Sequence, residues 1–592
     1  MDKEAGPQGS YNVINSNKYA AHIRCAGDRR AWKGRDDYMK KQWWHGKVAY
    51  QIYPKSFCDS NGDGIGDIRG IIGKLDYLKE LGIDILWISP VYQSPFVDQG
   101  YDISDYYKID PVFGTMEDFD ELLEEAKKRD MYILMDLVIN HCSDQHEWFQ
   151  KALADPEGEY GKYFYFEKGK NGKAPSNYRS YFGGSVWEPV PGTDLYYLHL
   201  FAKEQPDLNW ENKKVREELF QMVNWWLDKG LAGFRIDAIM NIKKTDGFPD
   251  YEPDGEDGLV RCTRMIEEAE GIGEFFRELK QETFAKHDAF TVAEVFNMKE
   301  GELEKFVGEE GYFSTMFDFA PLCTTLGGNG WYDAPGYEFF RWRKALLESQ
   351  EECRKAGFFA NIIENHDEPR GASTYLPDHA QNDDGTKMLA TTSILLRGIP
   401  FLYQGQEIGM KNCRMENIDE YDDIDTKNQY KVALEAGRDE EEAMNICLKH
   451  SRDNARTPMQ WNAEENAGFT EGAPWLKINP DYKEINAAAE EKDPSSILSY
   501  YKELLALRKS KEYGEVFTYG DFVPAYEGGE MLLAYYRQDE KRKILIAANF
   551  GEAEIVFPLE KEGKEILKNR KDVKLRGREL VLPGCGAAVV EL

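Results

Sequence analysis

Four short apolar runs in this chain end on residues that can move protons or attack carbon. Asp136 and the pair Asn140-His141 close one run, Arg235 and Asp237 a second, Glu294 a third, and His366-Asp367 a fourth. Two carboxyl groups held across a glycosidic bond can break it. One protonates the leaving oxygen while the other attacks the anomeric carbon or activates a water. Arg235 stands two positions before Asp237, so on a strand both side chains leave from the same face. A guanidinium there is expected to lower the pKa of Asp237 and keep it ionised. Glu294 would need the opposite shift, since a general acid must hold its proton near neutral pH. A single acid after a strand is usually a cap or a turn residue, whereas four such ends with His and Arg among them call for a common site.

The elements that must position these residues alternate in type. Apolar runs at Val48–Tyr53, Ile83–Ile88, Tyr132–Ile139, Gly233–Ile236, Phe290–Ala293, Tyr312–Phe317, Ala360–Ile363 and Pro400–Tyr403 read as buried strands. Amphipathic stretches such as Met116–Arg129 and Val215–Asp228 read as the helices between them. Eight strands alternating with helices predict a (β/α)8 TIM barrel in the α/β class, whose strand ends share one face. The interval from His141 to about residue 209 is rich in Gly, Pro, Tyr and Trp without helical periodicity. It is expected to be a domain inserted after strand 3, at about 142–210. A second insert is expected at about 410–471, within a catalytic unit of residues 42–515. From 516 to 592, β-rich segments such as Leu532–Tyr536 and Ile544–Asn549 predict a C-terminal antiparallel β-domain. Residues 1–41 stand apart as an N-terminal extension, starting linker-like and then turning basic.

The chain has 592 residues, more than one core supports, since single cores stop growing near ~250–300 residues. Its formal net charge of −32 argues against nucleic acid and anionic membrane as partners. Nine scattered cysteines with no CxxC pair favour a reducing cytoplasm over a disulfide framework. No apolar h-region follows Met1, and no stretch reaches the ~18 apolar residues a membrane helix needs. A cytoplasmic monomer or weak homo-oligomer acting on small molecules is therefore expected.

The segments Asp136-Leu-Val-Ile-Asn-His141, Gly233-Phe-Arg-Ile-Asp237, Val292-Ala-Glu-Val295 and Asn365-His-Asp367 resemble, in order, the four motifs of glycoside hydrolase family 13. Gln205-Pro-Asp-Leu-Asn209 resembles the fifth motif of its oligo-1,6-glucosidase subgroup. The likeness extends through Gly100-Tyr-Asp-Ile-Ser-Asp-Tyr106, Tyr403-Gln-Gly-Gln-Glu-Ile-Gly409 and Arg452-Asp-Asn-Ala-Arg-Thr-Pro-Met-Gln-Trp461, covering about residues 42–592. The resemblance implies a retaining, exo-acting α-glucosidase that releases glucose from short isomalto- and malto-oligosaccharides, with sucrose a further candidate. It implies Asp237 as nucleophile, Glu294 as acid/base and Asp367 as a third acid that binds sugar hydroxyls. His141 and His366 would bond the glucose in the cleavage subsite, above the ring of Tyr101. Asp98 and Arg370 would grip the 4-hydroxyl of the terminal glucose and block longer binding.

Asp59-Ser-Asn61-Gly-Asp63-Gly-Ile65-Gly-Asp67 places oxygen ligands at alternate positions and resembles an EF-hand loop, with a carbonyl ligand at Ile65. Its twelfth position is Gly70 rather than Glu. The resemblance implies a structural Ca2+ there, with another hard cation or an unoccupied Gly/Asp turn as the alternatives, and no organic cofactor. Three departures bear on linkage preference. Ala293 stands where Gly is frequent, Glu364 and Glu368 flank Asn365-His-Asp367 where Asn and Gln are commoner, and Ala238 replaces the usual Val. The rival readings are a sister reaction, namely sucrose isomerisation, transglucosylation or trehalose-6-phosphate hydrolysis, and a non-catalytic transporter accessory chain. No obvious Arg-rich isomerase-type segment lies between Glu294 and His366, and the accessory chains lack the three acids present here.

Overall fold

A computed structural model describes residues 40–592 apart from positions 256, 297, 300, 309, 328 and 329. The N-terminal extension expected at 1–41 lies almost wholly outside the described residues. Eight parallel strands form the centre: β1 (Ala49–Ile52), β2 (Ile85–Ile88), β3 (Tyr132–Leu137), β4 (Gly233–Ile236), β5 (Phe290–Ala293), β6 (Thr315–Met316), β7 (Ala360–Asn361) and β8 (Ile399–Tyr403). They neighbour one another in chain order, β8 pairs with β1, and a parallel bridge from Phe317 to Ala360 joins β6 to β7. The sheet is thus a closed barrel. β1, β2, β4, β5 and β8 are buried at every residue, which is why they read as unbroken apolar runs.

Alternation within those runs fills the barrel and arms its rim. Ile85, Trp87, Leu134, Val292, Phe317 and Phe401 form one packed cluster. In register, Asp136 on β3 stands beside Arg235 on β4, which stands beside Val292 on β5. Two residues further along, the same faces carry Asp237 and Glu294. β6 and β7 are shorter than the apolar runs suggest. The Thr315 hydroxyl donates to Phe358 O at 2.7 Å, so a side chain supplies a link that a backbone ladder would otherwise make.

The outer helices begin where the sequence caps them. The helix Met116–Lys128 starts at a capping box between Thr115 and Asp118 and buries Phe119, Leu122 and Ala126 against the barrel. Helix Lys213–Lys229 starts at Asn212 and stops at Gly230, whose φ of 115° makes the left-handed cap.

Between β3 and helix Lys213–Lys229 the chain forms a small antiparallel sheet of Phe166–Lys168, Leu195–Leu198 and Trp187–Pro189. Its core is shared with a later part of the chain. Tyr178, Val186, Trp187 and Leu198 pack on Phe248, Val260 and Met265, which follow β4. Tyr178–Arg179 pairs in parallel with Val260–Arg261, and Arg179 holds Asp254 at 2.8 Å and Asp257 at 2.6 Å. After β8 come two antiparallel-packed helices, Ile424–Glu435 and Glu440–His450. The C-terminal region is a five-stranded sheet from Asp521–Pro524 to Ala587–Glu591, with a second, three-stranded sheet beside it. Its strand pairings are antiparallel.

Candidate active site

The strand ends converge as the register requires. Arg235 is 1% exposed and touches three acids at once: Asp136 Oδ1 at 2.8 Å, Asp237 Oδ1 at 2.6 Å and Glu294 Oε1 at 2.9 Å. Glu294 Oε2 also accepts the Ala238 N–H at 2.9 Å. Asp136 is further bonded by Trp87 Nε1 at 3.1 Å and the Tyr101 hydroxyl at 3.0 Å. Burial pushes the carboxyls of Asp136, Asp237 and Glu294 upward, and the Arg235 guanidinium opposes that push without cancelling it. This corrects the expectation that Arg235 alone would hold Asp237 low. One cation shared among three buried acids is outweighed by their desolvation and mutual repulsion. A site of this kind retains a proton among its three acids.

Asp367 is the contrasting acid. Its carboxyl lies 3.0 Å from Arg456, 3.2 Å from Arg452 and 3.1 Å from His366 Nε2. Burial would raise its pKa, but His366 and the two guanidiniums pull it well below the carboxylate range. His366 accepts from the Gln51 amide at Nδ1, 2.8 Å away, and meets the Tyr101 hydroxyl at Nε2. Its ring lies nearly parallel to that of Tyr101, with centroids 5.4 Å apart, and burial pushes its pKa down to about 3. His141 is buried behind Tyr101, with Nε2 3.1 Å from both the Tyr101 carbonyl and the Gln205 amide nitrogen. Gln205 in turn donates to Asp98 Oδ2 at 3.1 Å.

The pairing of Asp98 with Arg370 is not what the fold builds. Arg370 is fully buried, donating to Gln404 O at 2.6 Å and Ala455 O at 3.2 Å, with Glu364 3.8 Å away. It immediately precedes the short helix Gly371–Thr374, and that turn sends its side chain into the core. Arg452 takes the place instead, 3.7 Å from Asp98 and 2.6 Å from Asp423. Arg452 opens the segment Arg452–Trp461, but only the folded insert after β8 brings it to Asp98. Ala238 is half-buried beside Asp237 with φ 41°, an uncommon angle for a residue with a side chain.

The loop at 59–67 lies apart from this constellation. Asp59, Asn61 and Asp63 each accept, through Oδ1, the N–H two residues on, at 2.9 Å each, so successive turns coil the chain. Asp67 instead bonds Ser60 and Gly70 N–H. A Cβ at Gly70 would stand 1.9 Å from Cys58 O, which is why no Glu can occupy the twelfth position. Ile65 contributes no side-chain oxygen. Among the described residues no three His, Cys, Asp or Glu side chains gather as a metal cluster.

Comparison with known proteins shows the family of the chain. The family model "Alpha amylase, catalytic domain" matches residues 51–520. The oligo-1,6-glucosidase of Bacillus cereus is 45% identical over 523 residues, 88% of this chain and 93% of that protein. Among solved structures, the trehalose-6-phosphate hydrolase of Bacillus licheniformis is 41% identical, with TM-score 0.87 over 93% of this chain and 100% of that one. The isomaltulose synthase of Protaminobacter rubrum is 38% identical, with TM-score 0.88 over the same shares, 93% and 100%.

Proposed function

The chain belongs to glycoside hydrolase family 13, the alpha-amylase family, and we propose that it is a retaining exo-α-glucosidase acting on short α-glucosides. The observation that carries this reading is the sharing of Arg235 by Asp237 and Glu294 on the rim of the barrel. Asp237 attacks the anomeric carbon as the glycosidic C–O bond breaks, and Glu294 gives its proton to the leaving oxygen. Glu294, now a base, takes a proton from the water that hydrolyses the glucosyl ester and frees Asp237. Asp367, kept ionised by Arg452 and Arg456, accepts hydrogen bonds from sugar hydroxyls. His141 and His366 serve the same sugar from either side of Tyr101. Asp98, Gln205 and Arg452 close its far end, which restricts cleavage to the terminal glucose.

Retaining glycosidases hold their two carboxyls about 5–5.5 Å apart, and the first product keeps its configuration. Fresh product should therefore be α-glucose by NMR before mutarotation; β-glucose at early times would sink the reading. Asp237→Asn should abolish turnover of all substrates. Glu294→Gln should spare aryl glucosides, whose leaving groups need little protonation. Turnover of maltose, isomaltose, sucrose and trehalose 6-phosphate, followed by product, separates glucose release from isomerisation and from phosphosugar hydrolysis.

For the loop at 59–67 we propose a structural Ca2+, held by Asp59, Asn61, Asp63, Asp67 and the Ile65 carbonyl. The support is an all-oxygen donor set at alternate positions, with the side chains of 59, 61 and 63 ordered by their turns. A bound ion stabilises only the folded state, so verified chelation should lower Tm and leave the chemistry of the distant carboxyls in place. An unchanged melting curve would mean that the turns stand without an ion. We also place the enzyme in the cytoplasm, as a monomer or weak homo-oligomer. All eight described cysteines are free and seven are buried, which suits a reducing compartment. No helix of the described chain is long and apolar enough to cross a membrane.

A further inference from the structure

Behind His141 lies a buried charge that the proposed reaction does not use. Lys244, seven residues past Asp237, is 3% exposed. Its amino group lies 2.7 Å from Asp207 Oδ2 and 2.9 Å from Asn140 Oδ1; burial lowers its pKa, and the Asp207 carboxylate opposes that and favours the ammonium. An ammonium has donors and no acceptor. Asn140 must therefore turn its carbonyl towards Lys244, and its NH2 group then faces His141 Nδ1 at 3.2 Å. That ring nitrogen has to be the bare one. Burial keeps His141 neutral, so its single proton sits on Nε2, 3.1 Å from the Tyr101 carbonyl.

Gln205 pulls the other way. Its Oε1 accepts the Ala202 N–H at 3.0 Å, which fixes its amide nitrogen towards His141 Nε2, 3.1 Å away. From there it can donate to the ring only if Nε2 is bare. Asn140 and Gln205 thus favour opposite tautomers, and the charge behind Asn140 breaks the tie. We infer that Lys244 is a positioning residue that locks His141 in the Nε2–H tautomer through the Asn140 amide. The Nε2–H, which rests on the Tyr101 carbonyl without substrate, is then shared with one sugar hydroxyl oxygen, beside the donor of Gln205. The hydroxyl rests on the α-glucosidase reading; the tautomer does not.

The lock explains a costly arrangement. A fully buried ammonium and carboxylate stabilise a fold weakly at best, since desolvation offsets their attraction. Lys244 and Asp207 join the stretch after the nucleophile strand to the segment Gln205–Asn209, and the strand end at Asn140-His141 lies between them. Their placement fixes the direction of a hydrogen bond, which an apolar pair of equal volume would not do.

The test uses full-length protein labelled with 15N-histidine, with the His141 signals identified by their loss in His141→Gln. Two-bond 1H–15N spectra should show His141 as Nε2–H in the wild type. Lys244→Met should move it partly or wholly to Nδ1–H. Because that variant strands the Asp207 carboxylate and could unfold, Lys244→Met/Asp207→Asn is measured alongside it. The double variant should fold, show the same tautomer change, and raise KM for maltose by about tenfold, the size of one lost hydrogen bond, with kcat little changed. A merely structural role would lower the active fraction, and so kcat, and leave the ring nitrogens as they were. Retention of the Nε2–H signal in the double variant overturns the inference, as does a changed tautomer with an unchanged KM. The spectra need no substrate, so they read the lock even if the wild type fails to hydrolyse α-glucosides, a failure that would count against the function instead.

Discussion

Arg235 touches Asp136, Asp237 and Glu294 through its two terminal nitrogens, so one positive charge is divided among three acids. Were all three ionised, two negative charges would remain uncompensated in a buried pocket, at a large desolvation cost. The trio therefore titrates as a unit that keeps a proton; burial raises Asp237 as well as Glu294, and the mechanism requires that proton on Glu294. The pair Arg235 and Asp237 was legible in the sequence because two residues on one strand share a face. The partner of Asp98 was not, because an arginine's reach depends on how the long insert after β8 folds back, and local spacing carries no trace of that. Gln205 lay in a recognised motif, but its bond to Asp98 shows only once the inserted domain is in place. Ala238 adjoins Asp237 in sequence, and its N–H is on Glu294. Val in its place adds two methyl groups where the leaving sugar must approach, and differences of this size discriminate substrates by roughly 10–200-fold. Ala238→Val should lower kcat/KM for maltose relative to isomaltose within that range. It should also cost some stability, because a β-branched residue fits φ 41° poorly. An unchanged ratio would pass the linkage question to Glu364 and Glu368.

At the scale of elements, the long helices were readable to within a few residues, because caps such as Thr115 and Asn212 and the left-handed Gly230 mark their ends locally. The barrel strands were readable as apolar runs because both faces are covered. Their lengths were not, as β6 and β7 show: a Thr315 side-chain bond to Phe358 O replaces ladder that a sequence pattern would extend. One residue sets how closely β4 and β5 can approach. Gly233 opens β4 with φ 153°, and a Cβ there would stand 1.8 Å from Phe290 O on β5. No rotamer relieves a clash with backbone. Gly233→Ala should therefore prevent the strand that carries Arg235 and Asp237 from pairing, and the protein should accumulate as insoluble chain. Soluble Gly233→Ala protein with wild-type circular dichroism would show that the ladder can shift to admit the methyl group.

For the molecule as a whole, buried arginines tie helices of the barrel to one another and to the C-terminal sheet. Within the barrel unit Arg508, at the end of helix Ile497–Arg508, donates to Ile394 O, Leu396 O and Gly398 O, at the C-terminal end of helix Asp383–Ile394. Arg537 on the C-terminal sheet reaches Leu395 O and Gly520 O, and Arg397 reaches Gly520 O from the barrel side. Among the described residues no carboxylate pairs with these three; backbone carbonyls, including the negative end of a helix, take that role. Stranding a buried carbonyl costs roughly 1–3 kcal/mol. Arg508→Met, which keeps the aliphatic stem, should lower Tm by at least about 3 °C and leave kcat at 25 °C unchanged. A scanning calorimetry trace with Tm unmoved would show that water replaces the guanidinium at no loss.

The core shared by the inserted sheet and the stretch after β4 has a consequence for heredity. A recombination event that exchanged residues 142–210 alone would deliver Tyr178, Val186, Trp187 and Leu198 without Phe248, Val260 and Met265, and Arg179 without Asp254 and Asp257. The exchanged sheet would meet a foreign surface on the stretch that follows the nucleophile strand. The segment that travels intact is therefore split in two by β4 itself, and a crossover that respects it must carry Asp237 along. In lineages that diversify by exchanging this domain, the inserted sheet and the strand of the attacking carboxylate are inherited together.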